Sequence, residues 1–428
     1  MFLWYLFYMV NYMYPSAIGA GCGPLLQSGT AKVASLRQQF FQHVRANGRA
    51  ARADVARALK ISAGSATAVT SDLIAAGLLR EVREPTRETG RGRPSVALEV
   101  VPSAAYVVGI KLSSRRHSAV LSDFVGNVLA GVTLPSSSQR RTSTQLLDQI
   151  TTLIEMLAQK SEISVESIGA VGVGLPGIVD MESGVVRWCS LLQGDDVDFA
   201  PAFAARFDMP LFIDNDTNML TLAELWFGEG RDKTDFAVVT IENGVGMGLV
   251  VNNTLYRGSH GVGLELGHTK VQMDGALCRC GQRGCLEAYL GDYALTREVG
   301  VALDLGEMRN RTPEDLLDLL FEEAKAGNAA AATIFRRAGR YLAVGLSNVV
   351  QLFDPPLIII SGERTRYDYL FADEVLAEMK TMTLSDMRKP CAIAIRPWDD
   401  MVWAHGATVP AISALSDQFV TACEASTA

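Results

Sequence analysis

"LELGHTKVQMDGALCRCGQRGCLEAYL", residues 264–290, holds three of the chain's seven cysteines, Cys278, Cys280 and Cys285, and places His268 ten positions before the first of them. Zinc in closed structural sites takes four tetrahedral ligands and favours thiolate and imidazole. Two glycines lie between Cys280 and Cys285, where a metal knuckle must turn the backbone sharply. His268, Cys278, Cys280 and Cys285 are therefore the candidate Zn2+ ligands. The competing readings are three buried free thiols beside a core histidine, or a disulfide. Cys278 and Cys280 are too close in sequence for an easy bridge, and Cys22, Cys189, Cys391 and Cys423 are scattered without a framework. A reduced, cytoplasmic chain is the expectation.

Outside this stretch, 428 residues exceed what one hydrophobic core normally holds, so two or three domains are expected. The net charge of −8 hides an uneven distribution. Residues 31–100 carry about +6, residues 1–30 carry no charge, and the rest of the chain carries about −14. A small basic domain thus precedes a large acidic one. The opening "MFLWYLFYMVNYMYPSAIGAGCGPLL" is apolar but lacks the basic residues of a signal peptide, and its apolar run is too short to span a bilayer. Residues 1–30 are expected to be an extension outside the fold, and no membrane partner is expected; a signal or anchor is the alternative.

Residues 31–100 have the rhythm of a winged helix-turn-helix. "SLRQQFFQHVRANG" is amphipathic and stops at Gly48, "RADVARAL" follows, and Ser62 can cap "AGSATAVTSDLIAAG", which ends at Gly77. Leu59, Ile61, Val69, Leu73 and Leu78 supply the apolar faces, leaving Ser65 and Thr67 outward on the last helix, where small polar residues suit a major groove. "LLREV" and "SVALEV" alternate like the strands of a hairpin around the basic "REPTRETGRGRP". Such a wing can carry Arg91 or Arg93 into a minor groove; a solvated linker is the alternative.

From about residue 101 apolar strands alternate with helices. "AYVVGIKL", "HSAVLSDF" and "NVLAGVTL" read as successive strands, "STQLLDQITTLIEMLAQK" as an amphipathic helix, and "SIGAVGVGLPG" as a buried strand entering a glycine loop. "PLFIDNDTNMLTLAELWFG", "FAVVTIENGVGMGLVVNN" and "PPLIIISGER" repeat the theme. This is an α/β architecture with polar residues at the carboxyl ends of strands, where ligands sit. Asp216, Glu265 and Glu287 fall in loops or beside the metal stretch, and with Asn215 they could hold the hydroxyls of a sugar. The plainer alternative is a set of helix caps and surface acids.

"LELGHTKVQMDGALCRCGQRGCLE" resembles the signature of the ROK family, named for repressors, open reading frames and sugar kinases, and "IDNDTNMLTLAELWFG" resembles its substrate-loop motif. The resemblance covers nearly all of 33–415. It implies a two-lobed, actin-like (ribonuclease-H-like) sugar kinase fold behind a winged helix. In the family, the position of His268 binds zinc and touches the sugar, those of Cys278, Cys280 and Cys285 complete the metal site, and those of Asn215, Asp216, Glu265 and Glu287 hold hydroxyls. Asp216 matches the base of the kinases.

The chain departs from the kinases where their first lobe begins. An acid followed by a glycine-glycine-threonine turn holds ATP phosphates there, whereas here "GIKLSSRRHSAV" brings Lys111 and then Ser113 and Ser114. Phosphate cradles need unobstructed backbone N–H groups. The second glycine loop, "ENGVGMGLV", survives in part, and "RWCSLLQGDD" lacks the asparagine that the kinases present near Ser190. The expectation is a sugar-responsive regulator, a repressor that is no enzyme, with operator DNA and a sugar effector as partners, as a homodimer or homotetramer. The alternative is a ROK-type kinase acting on a hexose. The expected domains are the winged helix at 31–100 and the sugar-binding region at 101–428, in lobes of about 101–220 plus the C-terminal helix, and about 221–402.

Overall fold

The computed structural model describes residues 21–25, 34–83, 96–180, 183–259, 261–303, 311–367, 373–384, 389–396 and 399–427. Arg91 and Arg93 lie outside the described residues. The chain divides into two compact units. The first holds the residues up to Thr234, a short return at Asn252–Thr254, and Asp400 onward; the second holds Asp235–Val251 and Leu255–Asp399. The first unit thus runs on past residue 220, the limit expected for the first lobe, through the helix that follows Asn215.

The first unit begins with a small head. Helix α1 (Leu36–Asn47) is fixed at its start by a Ser35–Gln38 capping box and stops at Gly48. Strand β1 (Arg49–Ala51) and α2 (Arg52–Ala58) follow, and α3 (Ala63–Ala75) starts at Ser62, whose hydroxyl accepts the Ser65 N–H. Strands β2 (Leu79–Arg83) and β3 (Val96–Val100) form the hairpin, and β1 pairs with β3 to make a three-stranded sheet of order β1-β3-β2. This is the winged helix-turn-helix topology expected from the sequence.

Behind the head stand β4 (Tyr106–Lys111), β5 (Arg116–Asp123), β6 (Val128–Pro135), α4 (Ser143–Ser161) and β7 (Ile168–Leu175). A small sheet of β8 (Gly177–Asp180), β9 (Val185–Cys189) and β10 (Val197–Asp198) comes next, then α5 (Ala200–Ala204), β11 (Leu211–Asn215) and α6 (Asp216–Trp226). The main sheet has the order β11-β7-β4-β5-β6, parallel through its first three strands and antiparallel in the rest.

Alternation along the strands sends Val108, Ile110, Val171 and Val173 toward Leu146, Ile150, Leu153 and Leu157 of α4. It sends Gly109 and Gly172 to the other face, against the C-terminal helix (Asp400–Thr427). A Cβ on Gly172 would lie 1.8 Å from the Ala407 carbonyl oxygen, and one on Gly109 would lie 2.0 Å from that of Ala404. The helix backbone therefore rests directly on the sheet. A Cβ on Gly406 would lie 1.9 Å from the Met219 carbonyl oxygen, so the same helix also presses on α6.

The head joins this unit through a packed interface. Phe41 of α1, Phe124 at the end of β5 and Phe419 of the C-terminal helix form a run of rings with centroids 5.7–5.8 Å apart. Residues 1–30 were expected to lie outside the fold, but residues 21–25 are built into it. Cys22 is buried and donates its N–H to the Arg45 carbonyl, Gly23 to that of Trp226, and Leu25 to that of Arg231. Arg231 returns the bond, donating Nε to the Gly23 carbonyl and Nη2 to that of Ala46. These glycine-rich residues satisfy backbone groups that the junction of α1 and α6 would otherwise bury unpaired.

The second unit is built on a sheet of order β14-β13-β12-β15-β16. Its strands are β12 (Phe236–Ile241), β13 (Val245–Val251), β14 (Thr254–Tyr256), β15 (Leu357–Ser361) and β16 (Ala392–Ile395). Short helices α7 (Glu287–Leu290), α8 (Asp292–Thr296) and α9 (Val299–Ala302) lead into α10 (Pro313–Lys325), α11 (Ala329–Phe353) and α12 (Asp373–Thr381). Leu317, Leu320, Phe335, Leu342 and Leu346 from these helices close over Ile358 and Ile360. A buried, two-pronged ion pair from Arg364 to Asp292, at 2.5 and 2.6 Å, ties α8 to the end of β15.

Gly172→Ala tests the contact between sheet and C-terminal helix. A methyl group 1.8 Å from a carbonyl oxygen forces the helix off the strand, so the variant is expected to lose about 3 kcal/mol or more of stability, or to fail to fold. Chemical unfolding followed by circular dichroism reads this, and a loss below about 1 kcal/mol would show that the helix can slide at no cost.

Candidate functional site

In the second unit, the side-chain donors of His268, Cys278, Cys280 and Cys285 all lie within 4.8 Å of one another. The Cys280 and Cys285 sulfurs are 3.7 Å apart, and His268 Nδ1 lies 3.6 Å from Cys278 Sγ. A tetrahedron with Zn–S of about 2.3 Å and Zn–N of about 2.0 Å has edges of roughly 3.5–3.8 Å. The cluster therefore fits zinc, and no disulfide joins its thiols. Gly281 and Gly284 take the left-handed conformations of the knuckle, at φ 84° and 76°. At Gly284 a Cβ would also strike the Gln272 carbonyl oxygen. The ion would organise structure; with four protein ligands no position is left for water.

The knuckle orders an acid beside it. Glu287 opens α7 two residues after Cys285; its Oε2 accepts the Val245 N–H at 3.3 Å and its Oε1 lies 3.9 Å from Cys278 Sγ. Arg279, between two candidate ligands, donates to the Asn243 carbonyl at 2.8 Å and to Glu287 at 3.4 Å, with its guanidinium over the Tyr293 ring. Tyr293 in turn donates to Cys278 Sγ at 3.4 Å, and burial pushes its phenol well above the usual range. Glu265 stands exposed at the start of the short turn that carries His268. The residue before it, Leu264, has a φ of 68°, a costly conformation for a branched side chain that sets the direction of Glu265. Glu265, His268 and Glu287 are thus gathered on one short span of the second unit.

Asn215 and Asp216 belong to the first unit, at the junction of β11 and α6. Asn215 is largely committed to structure: its Oδ1 caps α6 by accepting from Asn218 N, and its Nδ2 donates to the Gly177 carbonyl. Asp216 Oδ1 accepts the Thr217 N–H. Burial holds the Asp216 carboxyl above its ordinary range, opposed by the positive charge of Lys111 and the hydrogen bond from Thr217.

Lys111 is buried at the end of β4, 3.2 Å from Asp400 and 3.9 Å from the Trp403 ring centroid. The loop after it folds back on itself. Ser113 N–H donates to His117 Nδ1, and the N–H groups of Arg115 and Arg116 approach Ser113 Oγ at 3.4 and 3.3 Å. His117 Nε2 meets Gln149, and burial lowers this imidazole to about 4, so it stays neutral and free to accept.

On the head, Ser65 and Thr67 are exposed on the first turns of α3. The Thr67 hydroxyl donates to the Ala63 carbonyl and so presents mainly an acceptor, whereas Ser65 Oγ meets the capping Ser62 Oγ, where either hydroxyl can be the donor. Sequence reasoning missed Asp400, Arg279 and Arg45. Asp400 lies 289 residues from Lys111, and Arg279 lies 36 residues from Asn243. Arg45 had a readable signal, since it stands on the apolar stripe of α1 with Phe41 and Val44.

A model of the ROK family matches residues 107–409. The chain belongs to the ROK family. Among characterised ROK relatives, it is 28% identical over 345 residues to the DNA-binding transcriptional dual regulator NagC of Escherichia coli, covering 80% of this chain and 83% of NagC. It is 27% identical over 333 residues to the xylose repressor of Caldicellulosiruptor bescii, covering 76% of this chain and 82% of that one. A solved ROK transcriptional regulator, a homologue of the E. coli MLC protein, superposes with a TM-score of 0.74 over 90% of this chain and 97% of its own at 23% identity, which shows the fold. A ROK glucokinase from Streptomyces griseus, in complex with glucose and AMPPNP, superposes at 0.59 with 25% identity, covering 72% of this chain and 99% of the kinase. Helices followed by the actin-like ROK kinase fold is therefore the architecture. Among the described residues, no helix is long and apolar enough to cross a membrane.

Two predictions follow from the geometry. Purified protein should hold about one zinc per chain by elemental analysis, and Cys280→Ser should lose it; a native chain without bound metal would reject the cluster as a zinc site. The second concerns Asp216, whose folded carboxyl binds its proton more tightly than in the unfolded chain. Such a group costs stability as pH rises above the ordinary carboxylate range, because the native state must then bury a charge. Asp216→Asn should therefore melt higher than wild type at pH 7, with the difference shrinking toward pH 4. A constant difference across that range would refute the burial account.

Proposed function

We propose that this chain is a sugar-responsive, DNA-binding transcriptional regulator, a repressor of carbohydrate utilisation genes, with a zinc-organised sugar site. The observation that carries this reading is the fate of the first loop. The resemblance implies that in the family kinases this loop cradles ATP phosphates after an acid; here its backbone N–H groups face Ser113 and His117, and Lys111, at the position the resemblance assigns to the acid, is buried, which supports a non-kinase reading. The winged-helix topology of the head, in the same unit, supports a DNA-binding element. The named relatives, NagC and a xylose repressor, support a regulator.

In this reading Ser65 and Thr67 meet base edges while Arg91 and Arg93 grip the minor groove and backbone of operator DNA. Two heads on a homodimer or homotetramer read two half-sites. Asn215, Asp216, Glu265, His268 and Glu287 hold the hydroxyls of the sugar. With Nδ1 of His268 on the metal side, its Nε2 would remain for the ligand. Zn2+, held by His268, Cys278, Cys280 and Cys285, would fix the span that carries Glu265 and Glu287. The protein acts in the cytoplasm.

One observation favours the kinase reading. Asp216 lies at the start of α6, and burial raises its carboxyl pKa, which makes the ionised carboxylate a stronger base. Assay with ATP and a panel of hexoses is expected to give no phosphorylation above background; turnover lost in Asp216→Asn would establish the kinase instead.

The regulator reading is tested by operator affinity with and without saturating sugar. Sugar is expected to weaken binding about 5–150-fold, the usual range for coupled sites, and operator must weaken sugar binding by the same factor. Glu265→Ala should bind operator normally and ignore the sugar. Affinities that do not change in either direction would leave no regulatory switch.

A further inference from the structure

Arg45, on α1 of the head, is only 5% exposed, yet it makes no ion pair among the described residues. Its Nη1 donates to Ser416 Oγ at 2.9 Å, and its Nε is buried without a hydrogen-bond partner among the described residues. The guanidinium carbon lies 4.2 Å from the Trp226 ring centroid and 5.9 Å from that of Phe41. Beside it the Cys22 thiol is pushed up to about 11 by burial, so it stays neutral and supplies no counter-charge. The Asp417 charge opposes the desolvation of Arg45. A cation taken out of water without a direct ion pair is held weakly for its desolvation cost, and the aromatic faces add to that compensation. Such a contact can be made or released at small net cost, as a two-state element requires.

Trp226 is the last residue of α6, and Asp216 is the first. The helix is buried along most of its length, spans about 15 Å, and touches the C-terminal helix backbone at Gly406. Packed this closely it moves as a rod, so a displacement at Asp216 appears at Trp226. On the head side, Arg37 of the same α1 is paired with Asp72 of α3 at 2.5 Å, so α1 and α3 move together.

We propose that Arg45 is the positioning residue that passes effector occupancy from α6 to the head: docked on Trp226 it fixes the angle of α1 and with it α3, and a shift of α6 releases it. This deepens the regulator reading and rests on it, because it takes Asp216 as the sugar end of α6. It gives that switch a route contained within the first unit.

The test measures operator affinity of the full chain, with and without each member of a panel of hexoses, pentoses and their N-acetyl and 6-phospho derivatives. Wild type is expected to show a ratio in the 5–150-fold range for at least one of them. Arg45→Leu and Trp226→Leu should each bring the ratio below about twofold while leaving the affinity for that sugar, measured by calorimetry, within about twofold. The double variant should lose nothing further, since both act on one contact. If Arg45→Leu unfolds by circular dichroism, Arg45→Lys and Trp226→Phe take its place, and each should lower the ratio in part. A variant that weakens operator binding equally with and without sugar has a structural role only, and overturns the proposal. So does a full ratio in both single variants. A wild-type ratio of one across the panel removes the regulator reading itself, and a wild-type response that survives the variants removes only the role of Arg45.

Discussion

The contact on which the first unit depends is that of its C-terminal helix with bare glycine backbone. Gly109 on β4, Gly172 on β7 and Gly406 on the helix itself let main chain approach main chain with no side chain between them. Glycine costs conformational entropy in strands and helices, so its presence at these positions is explained by the closeness it allows. From that seat the helix reaches everything around it. Asp400 at its start meets Lys111 and Arg116 from the loop region, Ser416 meets the Arg45 guanidinium, and Phe419 meets Phe124. Its register on the sheet thus sets the loop's charge balance and the seating of the head together.

The second unit uses a different device for a similar end. Where the first unit fixes its elements by close packing, the knuckle is a small, polar, glycine-turned segment with little apolar area of its own. Four donors at tetrahedral spacing supply what hydrophobic burial cannot in so short a span. Arg279, between two candidate ligands, holds Asn243 and Glu287 at once. The loop at 242–245, the acid and the knuckle are thereby joined by direct hydrogen bonds.

Much of this was legible in the sequence. The cysteine spacing gave the cluster, hydrophobic alternation gave β4 to β7, and Ser62 announced the start of α3. What stayed hidden has physical reasons. Strand β1 is three residues long and β10 two, too short for any period to register. The pairing of Lys111 with Asp400 joins positions 289 residues apart, which no local pattern encodes. Residues 21–25 read as part of an apolar extension because hydrophobicity alone does not tell a tail from a strap; their role lies in backbone N–H groups, which every sequence possesses. Asn215 was legible as a polar residue at a strand end, but the same position also caps α6, and the two readings use the same atoms.

The path of the chain has a consequence for its synthesis. Apart from the short return at Asn252–Thr254, the first unit is interrupted at Asp235 and resumes at Asp400, after the second unit has been laid down. On the ribosome, the head and the five-stranded sheet emerge early, but the helix that covers Gly109 and Gly172 emerges last. Until then one face of that sheet is open, and the head lacks Ser416 and Phe419 as seats. The second unit can fold in the interval, since domains form as units during elongation. A chain stalled before residue 400 would carry a head that already meets Phe124, Trp226 and Arg231 but lacks the seats at Ser416 and Phe419. Full seating of the head is thereby deferred until the C-terminal helix has been made.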